Sequence, residues 1–104
     1  MSTIKEVLKE ELARLKRLNA RYVHDIAKLP SGSLSIKSRK GNEYAYRAYR
    51  SNDKVKTDYI GSADSDDVQK LKEKIEKRKK LESLLKTTNE QIAEIERSLR
   101  GKKI

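Results

Sequence analysis

The chain has 104 residues, of which 40% are charged and 35% hydrophobic, and it carries a formal net charge of +10 with no cysteine. That length suits one domain with a thin core. The missing cysteines exclude a disulfide framework and any thiolate metal site. A positive surplus of this size attracts polyanions, although lysine-rich solvated helices produce the same count.

The N-terminal stretch MSTIKEVLKEEL has no apolar core and is charged from Lys5 onward, so it does not read as a signal peptide. No apolar run is long enough to cross a bilayer. A cytoplasmic setting without a membrane partner is expected. Thr3 and Glu6 have the spacing of a capping box. Beyond them Leu8, Leu12, Leu15, Asn19, Tyr22, Ile26 and Leu29 recur at alternating intervals of four and three, the seam of a coiled-coil-like helix. Asn19 is its polar member and is expected to set register at some cost in stability. The pattern predicts a helix over 3–28, ended by Pro30.

After a turn at residues 30–33 the period changes to two. Residues 34–39 predict a first strand, Lys40-Gly41-Asn42 a tight turn, and EYAYRAYR at 43–50 a second strand. Ser51-Asn52-Asp53 predicts another turn, and residues 54–60 a third strand closed by Gly61. Short loops make this an antiparallel β-meander over 33–61. Asp64, Asp66 and Asp67 then suit the start of a second helix, where acids meet orphan N–H groups and the helix dipole. Val68, Leu71, Ile75, Leu81, Leu85, Ile92, Ile95 and Leu99 extend it over 66–99, about 50 Å at 1.5 Å per residue. The fold expected is α+β: one domain over 1–104, with two long helices as an antiparallel coiled-coil-like hairpin and a three-stranded meander between them. The second helix is the longer, so its apolar end from Ile92 to Leu99 is expected to want cover, which a homodimer through the helices would supply.

Nothing points to catalysis. His24 is the sole histidine and has no nucleophile or orienting partner at a recognisable spacing. The aspartates at 64, 66 and 67 lack the glycine and further ligands of a calcium loop, and helix capping accounts for them. The four glycines, at 32, 41, 61 and 101, are isolated and form no phosphate loop. No enzyme activity and no cofactor are expected. The basic run Lys77-Arg78-Lys79-Lys80 is flanked by Glu73, Glu76 and Glu82 at pairing distances and reads as a solvated helix face. Arg97, Arg100, Lys102 and Lys103 suit a helix C-terminus without any partner.

The meander is different. Between residues 37 and 56 the basic residues Lys37, Arg39, Lys40, Arg47, Arg50, Lys54 and Lys56 meet only Glu43 and Asp53. Alternation predicts that Tyr44 and Tyr46, with Leu34 and Ile36, face the core. Lys37, Arg39, Arg47, Tyr49, Lys54 and Lys56 are then left on the open face. A basic strand surface carrying a ring is the composition that holds phosphates while the ring stacks. Cross-strand tyrosine–cation contacts in an exposed sheet have the same composition without a ligand. Arg47 and Lys56 are the residues expected to lead, with Tyr49 stacking.

The order LPSGSL, basic turn, YAYRAYR, then KVKTDYIG and a Lys/Glu-rich helix resembles small uncharacterised proteins carried by phages and mobile elements of Gram-positive bacteria, over residues 29–85. Its RSNDKVKTDYIG part, from Arg50 to Gly61, also looks like the hairpin near the N-terminus of some insertion-sequence transposases. More distantly, it is similar to the three-stranded arm-binding domains of tyrosine integrases, which lay a sheet in the DNA major groove. No catalytic domain of either enzyme follows, so the resemblance implies the binding unit alone. Small proteins of such elements include anti-CRISPR inhibitors, which implies a second reading: an inhibitor gripping a Cas nucleoprotein complex or its guide RNA or DNA. The leading expectation is a non-enzymatic nucleic-acid-binding protein of a mobile element, its partner DNA, RNA or a nucleoprotein complex. A coiled-coil interaction module is the third reading.

Overall fold

The computed structural model describes residues 3–101. Along it run α1 (Ile4–Ala27), β1 (Ser33–Arg39), β2 (Asn42–Ser51), β3 (Lys54–Ser62) and α2 (Asp66–Gly101). The strands form one antiparallel sheet in the order β1-β2-β3. The α+β architecture is therefore as expected, with every boundary within a turn of its predicted place. Lys102 and Lys103 lie outside the described residues. By its internal contacts the chain divides into two compact units, Met1–Lys28 with Lys80–Ile104, and Leu29–Lys79. Helix α2 runs through both.

In the first unit, Thr3 caps α1 through the full capping box. Its hydroxyl accepts from the Glu6 N–H at 3.2 Å, and the Glu6 carboxylate accepts from the Thr3 N–H at 3.2 Å. Two orphan donors are thereby satisfied. The helices run antiparallel: Lys16 Nζ lies 3.7 Å from Glu96 Oε2, and the Asn19 side-chain amide donates to that of Asn89. Leu15 and Ile26 are buried on α1 and Thr88 on α2. Thr88 is satisfied within its helix, its hydroxyl donating to the Leu84 carbonyl at 2.8 Å. The expected uncovered end is misplaced. Ile92, Ile95 and Leu99 are half-buried, whereas Ile4 and Val7 at the start of α1 are 74% and 53% exposed. The register explains this, because pairing Lys16 with Glu96 sets the end of α2 beside the middle of α1.

The second unit holds the sheet and the first half of α2. Ser65 caps that helix, its Oγ accepting from the Val68 N–H at 3.3 Å, with Asp66 and Asp67 in the first turn. Both hairpin loops are two residues long. Lys40 (φ 51°) and Gly41 (φ 81°) turn β1 into β2, and Asn52 (φ 52°) and Asp53 (φ 63°) turn β2 into β3. Positive φ at both central residues is the turn whose twist matches the strands. The first turn is thus one residue shorter than expected, Lys40-Gly41 alone, and Asn42 opens the strand. The core of this unit is small: Ala45 of the sheet is fully buried, and Val68 and Ile75 of α2 are each 4% exposed. Leu34 and Ile36 line a groove with Val68 and Ile75, so α2 covers the sheet face that carries Leu34, Ile36 and Ala45.

Candidate nucleic-acid interface

Register decides what each face of the sheet presents. Leu34 pairs with Arg47, and Ile36 with Ala45; Ser35 pairs with Tyr46, and Lys37 with Tyr44. Directly opposed residues share a face. Tyr44 and Tyr46 therefore lie on the face opposite Leu34 and Ile36, and the expected core assignment of these two rings is reversed. The reason is the turn. A two-residue loop on Lys40-Gly41, where Lys40-Gly41-Asn42 was expected, pairs Arg39 with Asn42 instead of Glu43, and a one-residue shift moves every side chain to the other face.

The face turned away from α2 carries Lys37, Arg39, Asn42, Tyr44, Tyr46 and Arg50, with Thr57 and Tyr59 from β3. The three rings touch: Tyr59 lies 5.5 Å from Tyr46 at 62° and 6.1 Å from Tyr44 at 56°, centroid to centroid. The first is an edge-to-face geometry, which favours aromatic pairs, and the second is tilted. Lys37 Nζ sits 5.0 Å over the Tyr46 ring. Tyr59 remains 58% exposed. A shallow depression of about 420 Å3, lined by Arg39, Lys40, Asn42, Tyr44, Tyr46 and Tyr59, opens at the end of the face near the first turn. No carboxylate stands on the strands of this face; Glu43 and Asp58 both belong to the other one.

The eight residues singled out from the sequence are thus divided. Lys37, Arg39 and Arg50 join the tyrosines, and Lys40 stands in the turn beside them. Arg47, Tyr49, Lys54 and Lys56 lie on the helix-covered face. Lys54 and Lys56 are exposed there. Arg47 and Tyr49 are already engaged. The Arg47 guanidinium lies 4.3 Å from the Tyr49 ring centroid, and its Nε donates to the Ser31 carbonyl at 2.8 Å. A hydrogen bond to Asp58 pushes the Tyr49 phenol above its ordinary pKa, and partial desolvation and the Asp58 charge push the same way. A ring with a cation on its face and its hydroxyl held by a carboxylate is not an open stacking platform.

Arg78, within the run read as a solvated face, is half-buried and donates to the Leu29 carbonyl at 2.6 Å. Arg47 and Arg78 therefore hold two carbonyls of the same Leu29–Gly32 connection. Periodicity alone does not distinguish such an anchor from its lysine neighbours. Tyr59, which pairs with Tyr46, is a further site residue that sequence reasoning missed, because the face it shares with Tyr44 and Tyr46 was expected to be core. His24 is exposed, and among the described residues no three His, Cys, Asp or Glu side chains are grouped to hold a metal. Among the described residues no helix is long and apolar enough to cross a membrane.

No curated protein and no solved structure matches the chain. A family described as a domain of unknown function (DUF6788) matches residues 1–70, which run from α1 through the whole sheet into the first turn of α2, and the chain belongs to that family.

Proposed function

We propose that this protein is a non-enzymatic nucleic-acid-binding protein that works in the cytoplasm and grips backbone phosphates with the tyrosine-bearing face of its sheet. The observation that carries this reading is the segregation of charge between the two faces. Lys37, Arg39 and Arg50 share a face with three tyrosines and no carboxylate, while the opposite face mixes Arg47, Lys54 and Lys56 with Glu43 and Asp58. A patch of one sign, with rings between the cations, suits a polymer that alternates phosphates with flat bases. The net charge of +10 adds long-range attraction for it.

The test is fluorescence anisotropy of labelled duplex DNA, single-stranded DNA and RNA, each at about 50 and about 200 mM salt. Each phosphate contact contributes about 0.7 to 0.9 to the slope of log affinity against log salt. The double variant Lys37→Ala/Arg39→Ala is expected to weaken binding and flatten that slope by about 1.5. Lys54→Ala/Lys56→Ala, on the other face, is expected to leave the slope unchanged. The reverse pattern would move the interface to the helix-covered face. Absence of salt-sensitive binding to any of the three polymers would refute the reading and favour a protein or nucleoprotein partner.

A further inference from the structure

We infer that the polymer is single-stranded, and that an unpaired base stacks on Tyr59 in the depression it shares with Tyr44 and Tyr46. This rests on the nucleic-acid reading above and names what that reading leaves open. A face that reads only phosphates needs cations and no rings. Here the rings are central and the cations peripheral: Tyr59 contacts both Tyr44 and Tyr46, Lys37 flanks Tyr46, and Arg39 and Lys40 border the depression.

The three rings are not equivalent. One side of Tyr46 is taken by the Lys37 ammonium, and Tyr44 and Tyr46 are both half-buried. Tyr59 is supported by both neighbours yet 58% exposed, so its ring is held in place with much of its surface open. Two tyrosines that brace a third pre-organise it, which lowers the entropy lost when a base stacks there. Asn42 lines the same depression and offers an amide donor and acceptor to a base edge. A duplex cannot use this arrangement, because its base faces are already stacked and only its backbone reaches a ring unless a nucleotide is extruded. A single strand offers base faces and phosphates together.

The experiment compares four fluorescein-labelled probes of one length and mixed sequence: single-stranded DNA, single-stranded RNA, duplex DNA, and a single strand with abasic sites across its centre. The wild-type protein is expected to bind both intact single strands at least tenfold more tightly than the duplex or the abasic strand. Tyr59→Ala is expected to weaken binding to the intact strands by about 5- to 150-fold, the range of one lost base–ring stack, with little effect on duplex and abasic probes. Tyr59→Phe keeps the ring and is expected to keep the preference. Since the chain has no tryptophan, its intrinsic emission comes from tyrosine and is expected to be quenched by intact strands only. Equal affinity for intact, abasic and duplex probes, with Tyr59→Ala neutral and Lys37→Ala/Arg39→Ala still weakening binding, would overturn the stacking inference and leave the phosphate-gripping reading standing. Failure of every probe to bind with salt sensitivity would overturn both. A Tyr59→Ala protein that loses all four probes alike would show a broken fold or a purely supporting ring, and the abasic comparison on wild-type protein then decides. The DNA and RNA arms identify which polymer is preferred.

Discussion

At the scale of single residues, tyrosines that look alike in YAYRAYR have separate duties. Tyr44 and Tyr46 support an open ring, whereas Tyr49 is tied to Arg47 and Asp58. That tie has a pH signature. The folded protein raises the Tyr49 pKa, chiefly through the hydrogen bond to Asp58, so folding favours the neutral phenol. The resulting stability is fully present below the unfolded value near ~10 and is lost as pH rises through the folded one. Tyrosinate absorbance followed to high pH is expected to contain a late-titrating phenol that disappears in Tyr49→Phe and moves down in Asp58→Asn. A Tyr49→Phe titration identical in shape to wild type would remove the Tyr49–Asp58 contact from the account. The same pair explains why Arg47 is a poor probe of binding. Its guanidinium holds the Ser31 carbonyl and covers the Tyr49 ring, so its loss disturbs the fold as well as the charge.

At the scale of elements, the connection from α1 to β1 is the point where backbone geometry is least forgiving. Gly32 has φ 104°, and a β-carbon placed there would meet the Ala48 carbonyl oxygen at 2.2 Å. The obstruction is backbone of the central strand, so no side chain can move aside. Gly32→Ala combines a left-handed conformation with that clash and is expected to cost about 2 kcal/mol or more. Gly41→Ala, at φ 81° with nothing within 4 Å, is expected to cost about 1 kcal/mol. Urea denaturation compares them directly, and a Gly32→Ala midpoint no lower than that of Gly41→Ala would contradict the close approach. These elements were also unequally legible. The helices could be read because apolar spacing, the Thr3–Glu6 box and Pro30 are local signals that agree. Asn19 was recognisable as a polar seam residue, and it does meet an amide, that of Asn89. The sheet was legible as three strands but not as two faces. Its face assignment hung on whether the first hairpin loop holds two residues, Lys40-Gly41, or three, Lys40-Gly41-Asn42, and all of these residues tolerate a turn well enough that composition does not choose. Because β2 offers rings or methyl groups to both faces, hydrophobic alternation could not correct the slip. Arg47 and Arg78 stayed hidden for another reason: their partners are backbone carbonyls, which no residue type announces.

At the scale of the whole molecule, the charge acts in two opposed ways. A chain at +10 repels itself when folded, and the tyrosine face concentrates part of that repulsion by gathering Lys37, Arg39 and Lys40 without a carboxylate on its strands. Surface ion pairs such as Arg14–Glu11, at 2.5 Å between exposed side chains, offset little of it. Salt screens repulsion between exposed charges and equally screens their attraction for phosphates. Raising ionic strength is therefore expected to raise the melting temperature by a few degrees, on the order of 1 kcal/mol for a domain of about this size, while it lowers affinity for nucleic acid. A bound strand supplies the missing negative charge, so at low salt a saturating single-stranded oligonucleotide is expected to raise the melting temperature further than salt alone. Lys37→Ala/Arg39→Ala relieves the repulsion in the free protein and removes part of the grip, so it is expected to shrink both effects together. Scanning calorimetry across a salt series, with and without the oligonucleotide, tests this. A melting temperature that falls as salt rises would mean that attractive ion pairs dominate the surface, and the tyrosine face would then carry no electrostatic strain for a polyanion to relieve.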